Sequence, residues 1–428
     1  MGQHRPDRRT FLKMTTAMGV AGLVYPRGLF AAPTAANSRV VIVDDPASIS
    51  GLTVNAAVVQ TMVNAGIRSL TQNNDLNQAW KLLLPGVSST SKIALKVNCI
   101  NSSLSTHPAV ALAVANSLKQ LNFGGIPFPD NNIIIFDRTT WELQAAGYTL
   151  NTSASGVRCF ATNSAGVGYS AQSYNVAGQS QTLSTIITNT ADFLVNIAVL
   201  KNHGDAGVTL CLKNHYGSCI NPGNLHGDYC NPFVPALNGL APILNRQKVF
   251  IIDALAGITS GGPSGPPRIF PKKLIFSADI VAGDYQGRKL LADNGCTTTA
   301  TATHIDTAAT TYSLGTNNPA QMDVIALSSP TSVRSDRVEI PAAFTLEQNY
   351  PNPFNPVTTI QFSIVDPQFT ILKVFDVLGR EVARLAHGLY PAGRHTFRFD
   401  ASGMPGGTYF CRLTAGDFHQ TIQMVLAR

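Results

Sequence analysis

Asn132-Ile133-Ile134-Ile135-Phe136-Asp137 is the stretch that decides the fold of this chain. An unbroken apolar run, rich in β-branched residues and closed by a carboxylate, reads as a strand buried on both faces. Upstream, Ile93-Ala94-Leu95-Lys96-Val97 has the same character. Between the two, Pro108 opens a helix that runs to Leu121, proline being at home at a first helical position. Val40-Val41-Ile42-Val43, Asp192 to Leu200, Val249 to Leu255 and Leu274 to Phe276 repeat the strand pattern, and Asn55 to Leu70 has helical spacing. Strand–helix alternation predicts an α/β domain with a mostly parallel sheet over residues 37–325. The Ser-, Gly-, Asn- and Gln-rich region from Ala154 to Ser184 reads as a surface β-insertion or a long loop.

A chain of 428 residues implies two or three domains. Hydrophobic residues at 44% and charged residues at 13% describe a globular protein with a polar, weakly charged surface. Of the formal +7, residues 1–36 carry +4 through Arg5, Arg8, Arg9, Lys13 and Arg27 against Asp7, which leaves +3 for the rest. With no basic cluster interleaved with aromatics, nucleic acid is not an expected partner. The seven cysteines include no C-x-x-C pair, so a ferredoxin-type iron–sulfur cluster and a zinc ribbon are not expected.

Residues 1–36 have a charged start, a short apolar run from Met14 to Tyr25 and a small-residue end, the pattern of an export signal. The apolar run is short for a membrane span, and no later segment is long and apolar enough for one. Arg8-Arg9-Thr10-Phe11-Leu12-Lys13 resembles a twin-arginine signal, with Asp7 where Ser or Thr is commoner. The alternative is a Sec signal in which two arginines adjoin. The twin-arginine route carries folded proteins, so the body would fold in the cytoplasm with reduced cysteines.

From Ala343 onward short strands alternate apolar and polar residues: Thr358 to Ile364, Thr370 to Val377, His395 to Asp400, Gly407 to Leu413 and Gln420 to Leu426. This predicts an all-β sandwich over 343–428, after a linker at 326–342. Pro351, Pro353 and Pro356 mark the loop leading into it. The run Gln348 to Pro356, Phe375-Asp376-Val377-Leu378-Gly379-Arg380, Phe399-Asp400-Ala401-Ser402 and the terminal Met424-Val425-Leu426 resemble the type A sorting domain of the type IX secretion system. That resemblance implies an immunoglobulin-like sandwich that directs passage across the outer membrane. The expected partners are the twin-arginine and type IX machineries. The expected destination is the cell surface or the medium, by way of the periplasm.

Polar residues of the body gather where strands end, the place where parallel sheets bind ligands. Lys96, Lys201 and Lys213 with His107 and His203 form an expected cationic pocket for a small anionic ligand. A lysine desolvated among like charges would serve as a base or a Schiff-base amine, which makes these three lysines the catalytic candidates. Asn98, His107, Asp137, His203, Asn214, Asp253 and Asp284 are the expected ligand-binding residues. The carboxylates among them suit magnesium beside a phosphate, or else cap helices, as does Asp279 before an apolar helical run. A metal is the second reading, with His203, His215, Cys219 and Cys230 as ligands. Cys219 and Cys230 would equally serve as a disulfide after export.

Lys96-x-Asn98, Thr106-His107-Pro108, Lys201-x-His203, Thr209-x3-Lys213-Asn214-x2-Gly217 and Asp279-x-Val281-Ala282-x-Asp284, in that order, resemble the domain-of-unknown-function family 362. The resemblance supplies no reaction, and the cysteine-rich ferredoxin segment fused to such domains elsewhere is not in this sequence. No G-x-S-x-G, P-loop or H-E-x-x-H motif occurs. Gly261-Gly262-Pro263-Ser264-Gly265-Pro266-Pro267 reads as a flexible surface loop, a connector or a lid. Two functions fit: an exported catalyst or redox-associated protein, or a surface protein that binds a ligand or metal without turnover. The sequence names no cofactor.

Overall fold

A computed structural model describes residues 37–328, 343–365, 368–390 and 393–427. The expected export signal and residues 329–342 of the expected linker lie outside the described residues. The body strands are β1 (Ser38–Asp44), β2 (Ile93–Lys96), β3 (Ile133–Phe136), β4 (Arg158–Cys159), β5 (Tyr169–Val176), β6 (Gln179–Ser184), β7 (Phe193–His203), β8 (Gly207–Thr209), β9 (Gln247–Ile258), β10 (Lys273–Ser277) and β11 (Met322–Ser328). Nine of them form one sheet in the order β11-β1-β10-β9-β7-β2-β3-β4, with β8 paired to β7. All neighbours are parallel except β10, antiparallel to β1 and β9, and the short β8, antiparallel to β7. β11 carries the body to Ser328, three residues past the boundary read from sequence. The Ala154–Ser184 region contains the β5–β6 hairpin, outside the main sheet.

Helices cover both faces, which is why the strands are apolar throughout. On one face lie α1 (Ala56–Thr71), α2 (Leu76–Leu83), α3 (Pro108–Leu118) and α4 (Thr140–Ala145), packed through Met62, Trp80, Val114 and Leu143. On the other lie α5 (Cys211–Asn214), α6 (Phe233–Asn238), α7 (Ile280–Asp293) and α8 (His304–Thr310), packed through Leu212, Leu237, Val281 and Ile305. Asn55 caps α1 by accepting from Val58 N. Asp279 caps α7 by accepting from Val281 N and Ala282 N at 2.9 Å each. The α1–sheet contact is so close that a Cβ on Gly66 would lie 2.4 Å from the Phe276 ring.

Chain order and spatial order part company at one place. From β2 the chain steps outward to β3 and β4. It then returns to β7 on the other side of β2 and continues to β9. The strand order therefore reverses between β2 and β7, and a crevice opens beyond their carboxyl ends.

The tail is a β-sandwich of two antiparallel sheets. Its strands are β12 (Thr345–Leu346), β13 (Val357–Ile364), β14 (Gln368–Phe375), β15 (Glu381–Tyr390), β16 (Gly393–Asp400), β17 (Gly407–Ala415) and β18 (Phe418–Leu426). The sheets run β12-β13-β16 and β15-β14-β17-β18. Phe354, Phe362, Phe399 and Met424 fill the space between them. The proline-rich loop is tied down where Asn352 Oδ1 accepts from Val425 N at 2.8 Å and Phe354 N donates to Val425 O at 2.9 Å.

Candidate functional site

β2 and β3 deliver the first pair of groups. Lys96, the last residue of β2, is 1% exposed, and its Nζ donates to Asp137 Oδ1 at 2.7 Å. Asp137 follows β3 directly and also accepts from Cys99 N at 2.6 Å and Arg138 N at 2.8 Å. Lys96 Nζ further donates to Val97 O at 2.6 Å and Asn214 Oδ1 at 3.3 Å. A buried ion pair persists only with such additional partners.

β7 and β8 deliver the second group. Lys201 is wholly buried, and its Nζ has no hydrogen-bond partner in the protein. It faces Thr209 across the β7–β8 ladder, so the two side chains share a side. Burial holds Lys201 down at about 7, with Lys213 and Lys96 adding repulsion against the pull of Asp137 and Cys99. Lys213, on α5, is held at about 8, again chiefly by burial. Its Nζ lies 3.9 Å above the Tyr216 ring and 3.2 Å from His226 Nε2.

The histidines have defined tautomers. His203 Nδ1 accepts from Asp205 N at 3.1 Å and Ala206 N at 3.2 Å, which leaves the ring proton on Nε2. Burial, with Lys213 next, lowers His203 to about 3, so the ring is neutral. His226 Nδ1 donates to Pro222 O at 2.9 Å, and its Nε2 is the acceptor facing Lys213. The two rings stack at 5.5 Å.

Lys96, Asn98, Asp137, His203, Thr209, Lys213 and Asn214 line one cavity of about 150 Å³, joined by Arg138, Glu142, Tyr216, His226 and Pro263. That volume suits a molecule about the size of benzene. The cavity sits beyond β2 and β7, where the strand order reverses. Lys201 lies beside it through Thr209. The Gly261–Pro267 loop is pinned at its edge: Asn202 Oδ1 accepts from Gly262 N at 2.8 Å, and Asn101 Nδ2 donates to Pro263 O at 3.0 Å and Gly265 O at 2.9 Å.

The remaining expected residues go elsewhere. His107 and Asp253 pair at 2.8 Å, with the ring on a separate cavity of about 170 Å³ formed by the Ser102–Pro108 segment, Leu52 and Ala146. Burial works against the charged His107 ring, but the Asp253 carboxylate outweighs it and raises the pKa. Asp284 caps the α5 turn, accepting from Cys211 N at 2.9 Å and Leu212 N at 2.8 Å, and so positions Lys213 and Asn214 from behind. Burial raises it to about 7.

Of the expected metal ligands, only His203 joins a group with metal-like spacing, together with Asp205 and His226, all donor atoms within 4.8 Å. His215 is buried and bonded to Ser218 Oγ at 3.0 Å and Gln247 Oε1 at 3.2 Å. Cys219 and Cys230 are buried free thiols, as are the other five cysteines, so the disulfide reading does not hold here. The tautomers bear on the metal reading: His203 presents an N–H, not a lone pair, and the Lys213 ammonium stands at the lone pair of His226. The set is better built to donate hydrogen bonds than to bind a cation.

Gly217 explains the spacing of Thr209-x3-Lys213-Asn214-x2-Gly217. A Cβ there would lie 2.7 Å from Asp137 Oδ1 and 2.8 Å from Lys96 Nζ. Gly217→Ala is expected to cost about 1–3 kcal/mol by forcing that ion pair apart, measured by denaturant unfolding. An unchanged midpoint would mean that the pair yields without strain.

Residues 93–288 match the family model described as Domain of unknown function (DUF362). Residues 348–427 match the one described as Secretion system C-terminal sorting domain. No curated protein matches the chain. Among solved structures, a Thermotoga maritima protein is similar at 10% identity and TM-score 0.30, over 51% of this chain and 57% of that one. The chain thus spans a little over half the length of that relative. An endo-β-1,4-mannanase from Thermotoga petrophila gives TM-score 0.15 at 11% identity, over 86% of this chain and 83% of that one. Similarities at these scores carry no argument about chemistry. The chain thus carries a DUF362 domain and, behind it, a secretion system C-terminal sorting domain, the mark of a protein exported to the cell surface or the medium.

Proposed function

We propose that the body of this exported protein binds a small oxyanion in the cavity beyond β2 and β7, and that it reaches the periplasm by the twin-arginine route. The observation that carries the binding reading is the buried, unpartnered Lys201 Nζ beside Thr209. The adjoining cavity adds the His203 Nε2–H, which has no acceptor among the described residues, and the Lys213 ammonium, whose hydrogen-bond partner is His226 Nε2. An anion would supply the missing acceptors and the missing negative charge at once. Lys96 is already neutralised by Asp137, so Lys201 and Lys213 carry the charge that a ligand meets. With pKa values near 7 and 8, both lysines also suit proton transfer or amine attack on a bound carbonyl, which supports a catalytic use of the same site.

The test is a thermal-shift titration of the full chain with acetate and inorganic phosphate at pH 6, beside Lys201→Met. Ligands that bind the native state raise its melting temperature with concentration. The expected result is a rising melting temperature in the wild type and none in the variant. Equal shifts in both would overturn the reading. The same titration with zinc tests the His203–Asp205–His226 group, for which no shift is expected while Lys213 remains charged.

A further inference from the structure

The oxyanion reading is the base for a more specific one: we infer that the ligand is a small hydroxycarboxylate whose hydroxyl donates to Asn98 Oδ1. A chain of amides, each of which fixes the next, leads to that atom. Asn196 Nδ2 donates to Cys211 O at 3.0 Å, so Asn196 Oδ1 is free to accept, and it receives Asn214 Nδ2 at 2.8 Å. Asn214 Nδ2 also donates to Lys96 O at 3.2 Å. Asn214 Oδ1 must then be an acceptor. It receives Lys96 Nζ at 3.3 Å and Asn98 Nδ2 at 3.2 Å. A backbone carbonyl, which only accepts, anchors the series, so no amide in it can be reversed. The last acceptor, Asn98 Oδ1, is buried and unpartnered in the protein.

Three buried atoms are therefore unpartnered in the protein: Lys201 Nζ, across the β7–β8 ladder from Thr209, and then Thr209 Oγ1 and Asn98 Oδ1, whose residues line the cavity. The first is a charged donor, the second donates or accepts, and the third only accepts. A plain carboxylate answers the lysine and the threonine but leaves Asn98 Oδ1 bare. A ligand with both an anionic group and a donor hydrogen answers all three. The donor is neutral, because an ammonium would stand beside Lys201 and Lys213, whose charges no carboxylate of the described residues pairs. A hydroxyl meets that condition, and a cavity of about 150 Å³ has room for a small hydroxy acid.

Isothermal titration of the full chain at pH 6 with glycolate against acetate, and with lactate against propionate, compares equal charges that differ by one hydroxyl. The hydroxy acid is expected to bind at least about tenfold tighter in each pair. Glycine, with an ammonium in place of the hydroxyl, is expected to bind no better than acetate. In Asn98→Ala the ratio of hydroxy-acid to plain-acid affinity should fall to parity, whatever the absolute affinity for acetate. Asn214 Oδ1 keeps its Lys96 bond in that variant, and an unfolding curve run in parallel checks the fold. Equal binding of glycolate and acetate by the wild type, with both lost in Lys201→Met, would overturn the hydroxyl inference and leave the oxyanion reading standing. A preference that survives Asn98→Ala would overturn the role given to Asn98. Failure of every carboxylate would overturn the hydroxycarboxylate inference, and failure of inorganic phosphate as well would remove both readings.

Discussion

Lys201→Met is expected to stabilise the protein, by on the order of 4–5 kcal/mol at pH 6, while abolishing anion binding. Methionine fills nearly the same volume without a charge, whereas the native lysine holds an ammonium out of water with no acceptor. Burial brings its pKa from 10.5 to about 7. Between those values the unfolded chain keeps the proton and the folded chain sheds it, so wild-type stability rises with pH from about 7 to about 10.5. Below pH 7 both states hold the proton and the whole penalty is present. Lys213, held at about 8, adds a smaller rise of the same sign. Denaturant unfolding from pH 6 to 10 should show a steep rise in the wild type and a shallower one in Lys201→Met. A variant less stable than the wild type at pH 6 would show that the lysine is satisfied in the fold and is not held in reserve for a ligand.

Lys96→Met is expected to act in the opposite direction, with a loss of about 3–5 kcal/mol. The lysine is as buried as Lys201, but it has Asp137 at 2.7 Å. Removing it strands a carboxylate that is 5% exposed. Two backbone donors remain, Cys99 N and Arg138 N, but they do not replace a cation. The double variant Lys96→Met with Asp137→Asn should recover much of the loss, because a neutral amide tolerates the site. If the double variant is no more stable than the single, the loss comes from packing of the lysine stem and not from the stranded charge. Two lysines on neighbouring strands, equally hidden, are thus expected to have stability effects of opposite sign, and the difference lies in whether the protein itself provides the counter-charge.

The α/β alternation was legible because Ile133–Phe136 and its like are buried on both faces and leave a continuous apolar trace. β10 shows the limit: Leu274–Phe276 reads as a strand, but its antiparallel direction depends on which neighbours it meets. In the tail, β15 escaped notice because register shifts opposite Lys373 and Phe375 break the period-two pattern of Glu381–Tyr390. The site divides in the same way. Lys96, Asn98, Asp137, His203, Lys213 and Asn214 stand at strand ends or just after, and they do meet at one cavity. His107 and Asp253 also stand at such positions, yet they pair with each other beside a different cavity. Sequence position along a strand cannot say which side of the sheet a side chain leaves from. Asp284 is farther still from such a reading, since its partners are the amides of the α5 turn, contributed by a segment 72 residues earlier. Tyr216 and His226 come from irregular segments with no periodicity. Arg138, by contrast, was within reach, because it follows Asp137 directly.

All seven cysteines are enclosed as thiols, from Cys99 beneath the cavity to Cys411 inside the sandwich. Neither half of the molecule leans on a covalent cross-link for its shape. The described fold is therefore one that a reducing compartment permits as readily as an oxidising one.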